Sequence, residues 1–592
     1  MKVTEAIKAL RKLMADNGID AYVVPSSDNH QSEYVGEYFM ARKFITGFTG
    51  SAGTAVIMQD QAGLWTDGRY FIQAEKQLAG SGITLYRMGQ PGVPTVREFL
   101  KTHIPENGRL GFYGRVVGCG EGLLWKNDLK KKNVTIASHQ DLIDTIWTDR
   151  PAMACSDVFV LDETYTGEPM THKLSRIRKV MQEKGANVHI LSSLDDICWI
   201  INMRGKDVSY SPLTLAYAII YADHMELFSD AEKYSEEARA RLKAAGCTLL
   251  PYDAVYEKVT HLKKTDTVLL DPKRVNFALY ENIPDGVQIL QETNPEILMK
   301  AIKNETEIAN IKKAHLKEGL AMTRYMRWVK ENYEKETITE MSAAKKLNAF
   351  RKDTEGYLWE SFAPICAFGA HAAMMHYSST PETDVALKPG QFFLNDTGGN
   401  YYEGSTDTTR TFVLGDVSRD MKRDFTDVLR GHIDLAKARF LYGCAGVTLD
   451  ILAREPLWER NLDYQCGTGH GVGYLLNIHE GPQAFRWRNA PDRLESGMII
   501  TDEPGVYIEG SHGIRTENEL LIREGETNAY GTFMYMEPVT LCPIDLDGII
   551  PERLTESERD YLNRYHATCY EALSPFMTEE EKTWLKTYTR AL

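Results

Sequence analysis

Between Gln391 and Ile522, apolar strand-like runs repeatedly end in carboxylates. Phe392, Phe393, Leu394 and Asn395 lead into Asp396; a turn containing Gly398, Gly399 and Gly404 follows, and a second run opens at Asp407 and continues to Val413. A hairpin there brings the two carboxylates together. Met498 to Thr501 is too apolar for a solvated strand, reaches Glu503 and is stopped by Pro504 and Gly505. From Ile514 to Ile522, period-two alternation puts Arg515, Glu517 and Glu519 on one face. Carboxylates at the ends of apolar strands are costly to bury unless something neutralises them. One such residue is ordinarily a surface acid, but several together require cations. Asp396, Asp407, Glu503 and Glu517, joined by His470 from the glycine-rich run Gly467 to Gly473, suit two divalent ions of the hard or borderline kind. Manganese, cobalt or zinc would fit, close enough to share a bridging water.

Other short motifs in the region do not compete. Asp396-Thr397-Gly398 matches the aspartic-protease triplet, but that chemistry needs two carboxylates sharing a proton, and the chain has no second Asp-Ser/Thr-Gly. His479-Glu480 begins like the zincin motif, yet position 483 is Gln where the second histidine should stand. Gly467 to Gly473 resembles a dinucleotide loop only loosely, because Val472 replaces the last required glycine and His470 stands where phosphate would pass. A cysteine-peptidase reading of Cys466 would leave all five ligands unexplained.

The chain has 592 residues, which at roughly 150 residues per domain suggests three or four domains with cores of their own. A faint internal similarity links its first two parts. A basic helix ending at Gly18 leads to the apolar run Ala21 to Val24, and another ending at Gly185 leads to Val188 to Leu191. Downstream, Ala55 to Ile57 with Asp60, Trp65 and Asp67 matches Ala218 to Ile220 with Asp223, Phe228 and Asp230 at one offset. This predicts two similar α/β domains over 1–150 and 151–304, before a long helix with Ile308, Ile311, Leu316 and Leu320 on one stripe opens a third domain, 305–592.

The net charge of −15 argues against a nucleic-acid binder, and against an anionic-membrane binder, because both surfaces select clustered Lys and Arg. Two charge-free segments, Val208 to Ala222 and Ser361 to Pro381, do not read as membrane helices: the first falls short of the roughly 20 residues a span needs, and the second holds Pro364, His371 and His376. Nine cysteines without a C-x-x-C pair, together with a start lacking a signal-peptide core, predict a cytoplasmic protein.

Taken together, the Asp396 triplet with eleven positions to Asp407, Gly-Thr-Gly-His470, Asp502-Glu503-Pro504-Gly505 and Ile514-Arg515-Thr516-Glu517-Asn518 resemble the pita-bread metallopeptidases. The whole chain, including Trp65 to Phe71, is similar to the long-form Xaa-Pro aminopeptidases, or aminopeptidases P. The resemblance implies an α/β (α+β) protein with two similar N-terminal domains and a C-terminal pita-bread catalytic domain. It implies that Asp396 chelates one metal, His470 and Glu503 the other, and that Asp407 and Glu517 serve both, with manganese favoured.

By the same resemblance Glu503 is the general base for a hydroxide bridging the metals, and the substrate amine is anchored at the metal held by Asp396. His376 and His479 hold the substrate carbonyl and stabilise the oxyanion. Tyr377, Trp458 and Tyr507 are candidates for an apolar proline pocket, and Arg515 offsets the crowded negative charge. Long-form members tend to carry His immediately before Gly467, where this chain has Cys466, a difference that bears on metal preference or rate. The expected substrates are peptides with proline second, and the expected assembly is a homodimer. Prolidase, which takes Xaa-Pro dipeptides, is the alternative on the same ligands; a ligandless binding relative of the fold is a further one, which retention of all five ligands argues against.

Overall fold

The structure is a computed structural model that describes all 592 residues, Met1–Leu592. By compactness the chain forms two units, Met1–Leu161 with Glu168–Glu296, and Asp162–Gly167 with Ile297–Leu592.

The first unit contains two six-stranded sheets of the same topology. In one, the strands run Thr84–Arg87, Ala62–Thr66, Thr54–Met58, Ala21–Pro25, Arg109–Phe112 and Thr135–Ala137; in the other, Cys247–Leu250, Met225–Phe228, Tyr217–Tyr221, Val188–Leu191, Thr267–Leu270 and Gln288–Gln291. Each inner strand pairs antiparallel on one side, Val23 opposite Val56 and Ile190 opposite Ile219, and parallel on the other, Ala21 opposite Leu110 and Val188 opposite Val268. The shared order and direction give the internal similarity its structural basis. The amphipathic helix Val3–Asp16 seats Ile7, Leu10 and Met14 against the first sheet's core, and Met170–Lys184 seats Leu174, Ile177 and Met181 in the second half. The two halves also bond to each other. His30 donates or accepts at the Tyr252 hydroxyl (2.6 Å), Asn276 donates to the Asn29 carbonyl (2.9 Å), and Phe277 packs on Phe112. Such contacts explain why the halves form one compact unit.

The second unit opens with the helix Glu305–Asn332. Asn304 caps it, accepting from the N–H groups of Thr306 and Glu307 while the Glu307 carboxylate reaches back to the Asn304 N–H, a reciprocal cap that fixes the helix start. Two of this unit's sheets carry the candidate ligand segments. Gln391–Thr397 lies between Ile365–Phe368 and Thr408–Leu414, with Asp396 opposite Thr409. A six-stranded sheet runs Phe440–Leu441, Gly531–Pro538, Asn518–Asn528, Ile499–Asp502, Gly469–Gly471 and Glu480–Phe485.

The run from Ile514 to Ile522 is not the single strand that its alternation predicts. It breaks at Thr516 and Glu517: His512–Arg515 pairs with Gly505–Ile508, while Asn518 starts a strand on Ile499–Asp502. The chain changes partners there, and the Glu517 N–H donates to the Thr409 carbonyl (3.2 Å). No helix is long and apolar enough to cross a membrane, and all nine cysteines are free thiols.

Candidate metal centre

Four separate segments bring five candidate ligands to one point. The hairpin Gln391–Leu414 presents Asp396 and Asp407, the short strand Gly469–Gly471 presents His470, the end of Ile499–Asp502 presents Glu503, and the strand break presents Glu517. Three overlapping sets have ligand atoms all within 4.8 Å of one another: Asp396, Asp407 and Glu517; His470, Glu503 and Glu517; Asp407, His470 and His479. Asp396, Asp407 and Glu517 are buried.

The electrostatics of this cluster call for cations. Burial, then the neighbouring carboxylates of Asp396 and Glu503, push the Asp407 carboxyl well above its usual range; burial, Asp407 and Glu503 do the same to Glu517. One Oδ1 of Asp396 and one of Asp407 are buried without a hydrogen-bond partner. Orphaned carboxylate oxygens at the meeting point of three ligand sets fit divalent ions, whose charge reverses the repulsion. His470 is oriented for the same task. Its Nδ1 lies 2.9 Å from the Gly471 carbonyl, so that nitrogen bears the proton and Nε2 points its lone pair toward Asp407 (3.5 Å) and Glu503 (3.4 Å). A lone pair facing two carboxylates is an arrangement that a shared divalent cation would fit.

Surrounding residues lock these ligands. Arg515 is buried beside them. It donates to Asp396 Oδ2, to the Thr409 hydroxyl (3.2 Å) and to the Tyr507 hydroxyl (2.7 Å). Burial disfavours its charge, but Tyr507, Asp396 and Glu503 together hold its pKa well above the ordinary arginine value. Thr409 in turn donates to Glu517 Oε2 (2.6 Å), and Thr501 donates to Glu503 Oε1 (3.2 Å) while accepting the His470 N–H (3.1 Å). Glu519 accepts the Asp407 N–H (2.7 Å) and lies 3.2 Å from His315 of the long helix.

Sequence reasoning left out Thr409, Thr501 and His315. For the threonines a signal existed, since each sits two residues from a ligand along a strand and so shares its face. For His315, about 80 residues before the first ligand, there was none.

His479 is brought in, its ring edge-on to His470 at 4.3 Å between centroids. His376 lies just after the turn Gly369–Ala373. Tyr507 contacts the centre through Arg515, its phenol pushed up by burial. Tyr377 is placed differently: its ring is buried among Ile365, Ala367, Ala372 and Leu394, and its hydroxyl donates to Glu340 (2.9 Å). Trp458 ends the helix Gly446–Trp458, 39% exposed and edge-on to Trp487. Cys466 is half-buried, packed in the cluster that includes Tyr507.

Comparison with known proteins accounts for the whole chain. Residues 309–524 match metallopeptidase family M24, and residues 532–592 match the C-terminal region of peptidase M24. Residues 7–146 and 149–307 each match a creatinase/prolidase N-terminal domain. Aminopeptidase P2 of Arabidopsis thaliana is 38% identical, covering all of this chain and 89% of its own length. Aminopeptidase P1 of the same plant is 36% identical over 99% of each chain. Among solved structures, the X-prolyl aminopeptidase of Caenorhabditis elegans, described as a cytosolic enzyme with a di-nuclear active site, superimposes with a TM-score of 0.96 at 32% identity over the full length of both chains. Full-length similarity of this order, on a chain whose five candidate ligands converge, makes it a member of metallopeptidase family M24 and, within that family, of the aminopeptidases P.

Proposed function

We propose that the protein is a two-metal Xaa-Pro aminopeptidase, releasing the first residue of peptides that have proline second. The observation that carries this reading is the set of overlapping ligand triads sharing Asp407, His470 and Glu517. Asp396, Asp407 and Glu517 would hold one ion; His470, Glu503 and Glu517 the other, with Asp407 reaching both. The mixed oxygen and imidazole set favours manganese, with zinc or cobalt as alternatives. Bound there, two divalent ions supply a Lewis acid for the scissile carbonyl and an acidified water.

The chain's own residues do the rest. Glu503, more accessible than the other carboxylates and steadied by Thr501, takes the proton of the attacking water and returns it towards the proline nitrogen. His479 and His376 donate hydrogen bonds to the substrate carbonyl as its oxygen gains charge. Arg515 holds Asp396 in place and, with Tyr507, closes that side of the centre. Proline after the scissile bond offers a ring and no N–H, so the Tyr507 side of the site recognises shape.

We assign the chemistry to residues 305–592 and read 1–150 and 151–304 as two domains of one type that shape access. A cytosolic homodimer completes the reading, supported by the free thiols and by the similarity to a cytosolic relative.

The test is release of the first residue from an Xaa-Pro-Yaa tripeptide by manganese-loaded protein, beside its N-acetylated form and the Xaa-Pro dipeptide. The tripeptide should be cleaved, the acetylated peptide should be inert and the dipeptide poorer. Dipeptide preference would make the protein a prolidase, and cleavage of the blocked peptide would refute anchoring of the amine.

A further inference from the structure

His371 plays no part in the mechanism above, yet it has the build of a functional histidine. It lies in the turn Gly369–Ala373, five residues before His376. Its Nδ1 is 2.9 Å from Oε1 and 3.2 Å from Oε2 of Glu340, a carboxylate with no exposed side-chain surface, whereas His371 remains 27% exposed. The same carboxylate accepts the Phe368 N–H (2.7 Å) and the Tyr377 hydroxyl (2.9 Å). An acceptor of this kind puts the imidazole proton on Nδ1, so the neutral ring presents Nε2 as an acceptor. The ring also stacks on Tyr377, 4.5 Å between centroids at 28°. Its inner nitrogen and its face are fixed, and its outer nitrogen has no structural duty.

The position suits a substrate contact. Tyr377 and Ala372 pack with Leu394, which shares a strand face with Asp396, two residues and about 7 Å further along. The Ala372 carbonyl lies so close over Gly513 that a Cβ there would sit 1.9 Å from it, and Gly513 pairs with Tyr507 on the ribbon that ends at Arg515. His371 is therefore mounted on the elements that carry Asp396 and Arg515: it shares Glu340 Oε1 with the Phe368 N–H, and Phe368 lies three strand residues, on the order of 10 Å, from Ile365, which pairs with Asp396. In a peptide whose amine is held at the centre, the N–H of the third residue lies about 7 Å away in an extended chain, and a hydrogen bond adds about 3 Å. Because proline lacks an N–H, this is the first donor beyond the scissile bond. An Xaa-Pro dipeptide does not have it.

We propose that His371 Nε2 accepts the amide N–H of the third substrate residue, with Glu340 and Tyr377 as its support, and so determines the preference for peptides longer than two residues. This rests on the Xaa-Pro aminopeptidase reading and deepens it. The test compares an Xaa-Pro-Yaa tripeptide with its depsipeptide, in which an ester oxygen replaces that N–H while the scissile bond is unchanged. Wild type should favour the amide about tenfold in kcat/KM, and the ratio should fall to about one in His371→Phe, which keeps the stack, and in His371→Ala. Release of the first residue from neither substrate would overturn the aminopeptidase reading. Release from both, with a wild-type ratio near one or a ratio that neither variant moves, would overturn the His371 assignment alone.

Discussion

Thr409 shows how one uncharged side chain can govern a charged centre. Its hydroxyl donates its only proton to Glu517 Oε2 and accepts from Arg515 Nε, tying a carboxylate that belongs to two of the ligand sets to the guanidinium that restrains Asp396. Thr409→Val keeps the volume and removes both bonds. We expect metal affinity to fall about tenfold with little change in thermal unfolding of the loaded protein, measured by titrating metal into the chelated enzyme. Asp407→Ala and Glu517→Ala should do more, because each removes a side chain common to two ligand sets. Elemental analysis and turnover should drop together in both; full activity in a purified metal-free variant would refute the assignment.

Two buried pairings tie elements of the second unit to one another. The first joins Lys303, just before the long helix, to Glu480, which follows His479; neither side chain has exposed surface. Lys303→Met should cost about 3–5 kcal/mol by leaving a buried carboxylate without its ammonium, and Lys303→Met with Glu480→Gln should recover much of that, as read from unfolding temperatures.

The second lies on the helix Glu556–Leu573, where buried His566 accepts the Ile544 N–H through Nε2 (3.0 Å). Burial, with the charges of Arg410 and Arg590, lowers its pKa to about 3. A histidine depressed in the folded state stays neutral there while the unfolded chain takes up a proton below about 6.5. The stability it confers is thus whole above that pH and declines as pH falls toward about 3, by roughly 1.4 kcal/mol per unit. His566→Gln should flatten the fall in unfolding temperature between pH 6 and pH 4; an unchanged slope would show that other groups set it.

At the scale of the whole molecule, the helix Gly446–Trp458 leaves Val447, Ile451 and Trp458 each about 40% exposed. Their spacing puts them on one face, which we propose a second copy of the chain covers. We expect a dimer in light scattering at micromolar concentration, and Ile451→Asp to shift it toward the monomer with the metal content unchanged. A monomeric wild type would refute the dimer without touching the chemistry.

The candidate ligands and their order were legible in the sequence because carboxylates that end apolar strands declare their own cost, and the structure brings all five together. The paired N-terminal sheets were legible because the same hydrophobic runs recur. What tertiary structure alone decided concerns direction and partners. Alternation put Glu517 within one continuous strand, but its neighbours belong to two strand pairs, and the break between them turns the carboxylate to the centre. Nothing local distinguishes Tyr377, whose ring is buried and whose hydroxyl is taken by Glu340, from Tyr507, whose hydroxyl is taken by Arg515. Both are aromatic residues beside a motif, and only the chain's return through distant strands fixes which donor or acceptor each one meets. His315 and His371 were silent for the same reason, since a histidine's task is set by the carboxylate that faces it, and that carboxylate is supplied by another part of the chain.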